Sequence, residues 1–138
     1  MTRLGVDYLN LYIIHRFDYS TPMAETMEAL DRLVRDGRAR ALGASAMYGY
    51  QLHNLQRVAD ENGWTRLSSL QNHYNLLYRE DERELIPVVR QYGMSLTPYS
   101  PLASGHLTRS TWDSDSVRST TDGTMRQKYD RDREIDMP

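Results

Sequence analysis

Four short apolar runs recur through the first hundred residues at a nearly constant interval, and this period limits the fold more than any other feature. The runs occupy residues 9–14 (LNLYII), 39–43 (ARALG), 67–71 (LSSLQ) and 94–97 (MSLT), with starts 30, 28 and 27 residues apart. Each is too short for a helix and is bounded by turn residues, which favours strands. The stretches between them carry helical signals. Thr21-Pro22 is a helix start, with the hydroxyl as cap and proline in the first turn. Met23, Met27, Leu30, Leu33 and Val34 then recur at helical spacing, and Gly37 supplies a left-handed terminator. Leu52, Leu55, Val58 and Ala59 form a second apolar stripe, closed by Asn62-Gly63. A third helix is expected from Asp81 to Tyr92, ending at Gly93, with Pro87 either kinking it or marking its real beginning. Strands alternating with helices at this period mean βαβ units, a parallel sheet and right-handed crossovers.

Two α/β architectures fit that pattern, a doubly wound sheet and a (β/α)8 barrel. The first strand–helix turn of a dinucleotide-binding doubly wound sheet carries G-x-G-x-x-G, and no such run exists here. A full barrel needs about 250 residues and eight units. Four strands in 138 residues mean a small open sheet or half a barrel. The repeating part covers residues 1–107. From 108 to 138 the chain turns Ser/Thr/Asp/Arg-rich and cannot build its own core, so it reads as a polar loop or disordered segment rather than an ordered cover over a cofactor.

Composition excludes several classes of function. A formal charge of −2 gives no basic excess for nucleic acid or an anionic membrane. The absence of cysteine removes disulfides, thiolate catalysis and thiolate metal sites. No apolar signal region opens the chain and no run approaches membrane-spanning length, so the expected address is the cytoplasm.

Both α/β architectures gather ligands at the carboxyl ends of their parallel strands. There this chain places His15, then Ser45, then Gln71 with Asn72, then Tyr99 with Ser100. Each alone has an ordinary structural explanation: a hydrogen-bonded histidine, a helix cap, a loop-satisfying amide, a packed ring. Their shared rim favours a site for a planar polar ligand. Elsewhere, His53 and His106 lack metal-ligand spacing, Asp7 and Asp18 read as turn residues, and residues 79–84 (REDERE) read as a solvated helix start.

The segments LGVDYLNLYIIHRFD, ARALGAS, LQNHYNLLYRE and LTPYSPLASGHLTR resemble the aldo-keto reductases, in the branch of aryl-alcohol-dehydrogenase-like enzymes and potassium-channel β-subunits. The resemblance runs in order from Leu4 to about Arg109. It implies a partial (β/α)8 TIM barrel of four parallel strands with intervening helices, the family's strands four to seven. It also implies reduction of aldehydes and ketones, or the reverse alcohol oxidation, with NADP as cofactor and NAD as the alternative, and no metal. On the family pattern His15 is the catalytic histidine that orients the substrate carbonyl. Ser45 and Gln71 hold the nicotinamide carboxamide, and Tyr99 stacks on the nicotinamide face. Ser100, Leu102 and Gly105 fall in the loop that passes the pyrophosphate. Ala46 departs from the pattern, since asparagine often stands there.

The family's proton donor is a tyrosine tuned by a lysine and an aspartate, all upstream of the histidine, and this chain has no counterpart of them. Tyr48, Tyr74 and Tyr78 lie downstream. The clamp for the 2′-phosphate follows the family's last strand and is likewise without a counterpart. A half-barrel exposes two sheet edges and an interior face, on which Leu11 and Leu70 are expected to meet water. Such a chain is expected to be inactive alone and to associate with itself or with a complementary chain.

Overall fold

The computed structural model describes residues 2–108, Thr121 and Gly123. The polar segment 108–138 lies outside these apart from Thr108 and the two isolated residues. Four parallel strands form one open sheet in sequence order: β1 (Leu9–Ile14), β2 (Ala39–Ser45), β3 (Leu67–Gln71) and β4 (Ser95–Leu96). Helices α1 (Met23–Arg35), α2 (Gly49–Asn62) and α3 (Leu85–Gln91) connect them. Among the described residues no helix is long and apolar enough to cross a membrane.

The strands and helix stops fall where the apolar period puts them. Gly37, Gly63 and Gly93 each follow a helix with φ between 61° and 69°, a left-handed geometry that glycine adopts without a Cβ clash. One face of the sheet meets the helices. Met27 and Leu30 of α1, Leu52, Leu55 and Ala59 of α2, and Leu85 and Val89 of α3 pack with Leu42, Ala44, Leu67 and Leu70 in a single core. Each large aliphatic side chain fully buried there contributes about 1.5–3 kcal/mol.

Leu70 departs from the sequence expectation. It is fully buried against the helices, and only Leu11 remains exposed of the two. The cause is a register shift, in which Leu42 pairs with Leu67 but Gly43 pairs with Ser69. The extra residue, Ser68, turns its hydroxyl onto the Leu42 carbonyl at 2.9 Å. Leu67 and Leu70 can then both face the helices, while Ser69 and Gln71 take the opposite face. On that opposite face Gly43 is closely covered, since a Cβ there would collide with Ser69 Oγ and lie 3.1 Å from Ile13 Cγ1.

The helix starts also differ in detail. α1 begins at Met23 without a side-chain cap, because the Thr21 hydroxyl donates instead to Asp18 Oδ2 at 2.6 Å. Asp18 also accepts the Ser20 amide and hydroxyl, and these bonds hold its pKa down at about 2. The third helix is shorter than its apolar pattern suggests. Residues Glu80–Glu82 form a separate 3-10 turn, and Pro87 sits in the first turn of α3, so it marks the beginning rather than a kink. Glu84 does favour a helix dipole, but that of α2: its carboxylate accepts the Tyr50 amide at 2.7 Å. Gly49 permits this approach, since a Cβ there would sit 2.7 Å from Glu84 Cγ.

Gln56 and Asp31 hold the start of β3. Gln56 is fully buried on α2; its Nε2 donates to the Leu67 carbonyl and its Oε1 accepts the Leu67 amide, both at 2.9 Å. Asp31 on α1 accepts the Thr65 amide and hydroxyl, both at 2.8 Å, and pairs with Arg35. The Thr65 bonds dominate in lowering its pKa, with Arg35 adding to them.

Candidate functional site

The sequence-derived residues do lie along one rim. His15 follows the last residue of β1 and is exposed. Ser45 and Gln71 are the last residues of β2 and β3, and their Cα atoms are register partners. Ser45 is buried and Gln71 half-buried, and among the described residues no side-chain hydrogen bond engages the Gln71 amide. Tyr99 lies just past β4, where a parallel bridge joins it to His73, and its amide donates to the Asn72 carbonyl at 2.9 Å. The residue is 36% exposed.

Ser100, Leu102 and Gly105 lie on the winding segment that follows. Ser100, Ala103, Ser104 and Gly105 all have positive φ there, and the Gly105 amide donates to the Leu102 carbonyl at 2.8 Å. Leu102 is exposed. Ala46, where the family pattern departs, has φ 48° and donates its amide to the Gln71 carbonyl at 3.2 Å. Three neighbouring strand ends are thereby tied together by backbone bonds.

A cavity of about 310 Å3 opens on this rim. Its wall includes Arg16 and Tyr19 after β1, Met47 and Tyr48 after β2, and Asn72 and Asp81 after β3. Tyr99 borders it too, but His15, Ser45 and Gln71 do not. The cavity therefore adjoins the candidate site rather than coinciding with it. Asp81 accepts Asn72 Nδ2 at 2.8 Å, yet burial dominates and pushes its pKa up, so the run 79–84 is not uniformly solvated. Burial likewise raises the pKa of Tyr78, with the Asp81 and Glu80 charges adding to it.

Sequence reasoning missed the ring next to Tyr99. His73 stacks on Tyr99 with centroids 5.1 Å apart and planes 14° apart, and on Tyr78 at 4.4 Å and 25°. The signal was its position two residues beyond Gln71, in the loop leaving the carboxyl end of β3.

The residues present suit a nicotinamide ring. A planar amide-bearing heterocycle needs an aromatic face and hydrogen-bonding groups at its edge. Tyr99 could serve as that face, and the Gln71 amide and Ser45 hydroxyl as groups at the edge.

The comparisons with known proteins bear on the family and the fold. The aldo/keto reductase family matches residues 1–136. An aldo-keto reductase of Fusarium vanettenii is 51% identical over 109 residues, which are 79% of this chain and 30% of that protein. The versiconal hemiacetal acetate reductase of Aspergillus parasiticus is 44% identical over 120 residues, 87% of this chain and 35% of that protein. A solved structure of a candidate 2,5-diketo-D-gluconic acid reductase B superposes with TM-score 0.66 at 29% identity, covering 75% of this chain and 35% of that one. The chain thus spans about a third of the length of the relatives it matches. Its four-stranded parallel sheet is part of a barrel, and the chain belongs to the aldo/keto reductase family.

Proposed function

We propose that this chain supplies the nicotinamide shelf and the carbonyl-orienting histidine of an NAD(P)H-dependent reductase acting on aldehydes or ketones in the cytoplasm. The observation that carries this reading is the rim itself, with Ser45 and Gln71 in register beside the exposed Tyr99 ring. NADP is the favoured cofactor and NAD the alternative; when bound, either supplies the hydride. The chain's own residues hold and orient. Tyr99 stacks on one face of the ring, and the Gln71 amide and Ser45 hydroxyl fix its rotation through the carboxamide, so a single face is presented to substrate. Ser100, Leu102 and Gly105 guide the pyrophosphate past the rim. His15 donates a hydrogen bond to the substrate carbonyl and holds it for attack.

Turnover also needs an acid for the developing alkoxide, and no residue of this chain matches the family's tyrosine, lysine and aspartate. On this reading the 138 residues assayed by themselves are expected to show no turnover. A second reading is a non-catalytic chain that associates with itself or with a complementary chain. It is favoured by β1 standing at the edge of the open sheet, with Leu11 on one face and Tyr12 on the other, 37% and 38% exposed. The test is an assay of NADPH oxidation with an aromatic aldehyde, with and without a co-expressed chain that carries the remaining strands of a relative's barrel. We expect no oxidation above blank for this chain alone and activity in the complex. There, His15→Ala lowers kcat/KM for the aldehyde more than it weakens cofactor binding, and Tyr99→Ala does the reverse. Turnover by the lone chain on the order of 1 s−1, or equal cofactor affinity in wild type and Tyr99→Ala, would overturn the assignment.

A further inference from the structure

The Tyr99 ring is the second end of a three-ring stack, Tyr78–His73–Tyr99, and each layer is fixed by backbone geometry. The Thr97 amide donates to the Leu70 carbonyl and the Tyr99 amide to the Asn72 carbonyl, both at 2.9 Å, so the β3–β4 ladder runs on past the strands. This brings His73 and Tyr99 side by side as bridge partners. A tight turn then reverses the chain, with the Asn75 and Tyr78 amides each donating to the other residue's carbonyl at 3.2 Å. The turn carries the Tyr78 ring back over His73.

Asn75 locks the arrangement. Its Oδ1 accepts the Leu77 and Tyr78 amides, both at 2.9 Å, which sets its Nδ2 as the outward donor. Nδ2 donates to the Ser100 carbonyl at 3.0 Å and lies 3.3 Å from His73 Nε2. An amide nitrogen can only donate, so this contact is a hydrogen bond in the tautomer that carries the His73 ring proton on Nδ1. Asn75 is buried, and its contacts tie the imidazole edge to the residue after Tyr99. The near-parallel planes of His73 and Tyr99 are thus over-determined by the bridge, the turn and the Asn75 clamp.

Resting on the reading of Tyr99 as the nicotinamide shelf, we propose that His73 is a positioning residue that backs the Tyr99 ring, so that a bound nicotinamide becomes the next layer of a continuous stack. His73 stacks against one face of the Tyr99 ring, and Tyr99 as a residue is still 36% exposed, so a ligand ring would add on the other face. An aromatic side chain held at a fixed plane loses less freedom when a second ring settles on it. Without His73, Tyr99 would keep its chemistry but lose its set of the plane.

The test uses the full chain and nicotinamide mononucleotide, followed by the proton shifts of the nicotinamide ring. In wild type we expect upfield shifts on binding, from the Tyr99 ring current. Tyr99→Ala should abolish them. His73→Ala should weaken binding by about 3- to 10-fold, the range of one aromatic pair, and also reduce the shift of fully bound ligand. His73→Phe, which restores a flat ring but not the Asn75 contact, should return both within about twofold of wild type. If His73→Ala does not fold by circular dichroism, His73→Leu replaces it, filling the volume without a flat face. A loss on Tyr99→Ala with no change on His73→Ala or His73→Leu overturns the positioning role and leaves the shelf standing. Absence of shifts in wild type, or their survival in Tyr99→Ala, overturns the shelf and this inference with it. A His73→Phe variant as impaired as His73→Ala also overturns it, since stacking is then not what His73 contributes.

Discussion

Replacing Gln56 with alanine should remove a large share of the chain's stability. The side chain is completely buried on α2 and satisfies both the amide and the carbonyl of Leu67 at 2.9 Å. Leu67 is itself buried, so neither backbone group can turn to water. Leaving a buried donor or acceptor unpaired costs about 1–3 kcal/mol each, which makes about 2–6 kcal/mol for the pair. Net stabilities of small domains are about 5–15 kcal/mol. Urea unfolding of wild type and Gln56→Ala at 25 °C, followed by far-ultraviolet circular dichroism, measures the loss directly. Gln56→Glu adds a sign: below the carboxyl pKa its protonated oxygen can still donate to the Leu67 carbonyl, and above it a charge is buried without a cation. Its stability should therefore fall as pH rises through that pKa, unlike wild type. A loss under about 1 kcal/mol for Gln56→Ala would refute the claim that this amide anchors the start of β3.

Gly43→Ala should destabilise by about 1–3 kcal/mol by overpacking against Ser69 and Ile13, and Ser69→Ala in the same chain should recover part of the loss by removing the colliding hydroxyl; thermal unfolding of the two variants and the double mutant checks this. Glu84→Ala should cost about 0.5–2 kcal/mol through the exposed start of α2, read as a lower urea midpoint. The carboxyls of Asp18 and Asp31 have pKa values below the ordinary 3.8, Asp18 at about 2. A depressed native pKa stabilises fully above the unfolded value and is lost as pH falls through the native one. Melting temperature should therefore decline from about pH 4 toward pH 2, and Asp31→Asn should flatten that decline.

The sequence carried the strand–helix alternation because each apolar run and each glycine stop is a local signal. Residues 9–14 and 67–71 are strands throughout, and Gly37, Gly63 and Gly93 end helices with positive φ. The face taken by Leu70 was not legible, because it depends on one extra residue in β3 relative to β2, a relation between strands. The third helix was over-read because the acidic run before Pro87 looks like a first turn, whereas Glu84 serves α2 and Asp81 turns toward Asn72. On the rim, Ser45, Gln71 and Tyr99 could be placed from strand ends alone. The stacking of His73 could not, since it requires the β3–β4 register to continue beyond both strands and the Asn75 turn to bring Tyr78 back.

On the proposed function, the rim formed by β2, β3 and the segment after β4 holds a nicotinamide. The most direct test is a titration of isotope-labelled chain with NADP+, mapping amide shifts residue by residue. Perturbations are expected to concentrate at Ser45, Ala46, Gln71, His73 and Tyr99 and along Ser100, Leu102 and Gly105. Shifts confined to the outer faces of α1 and α2, or none at saturating cofactor, would contradict the proposed function.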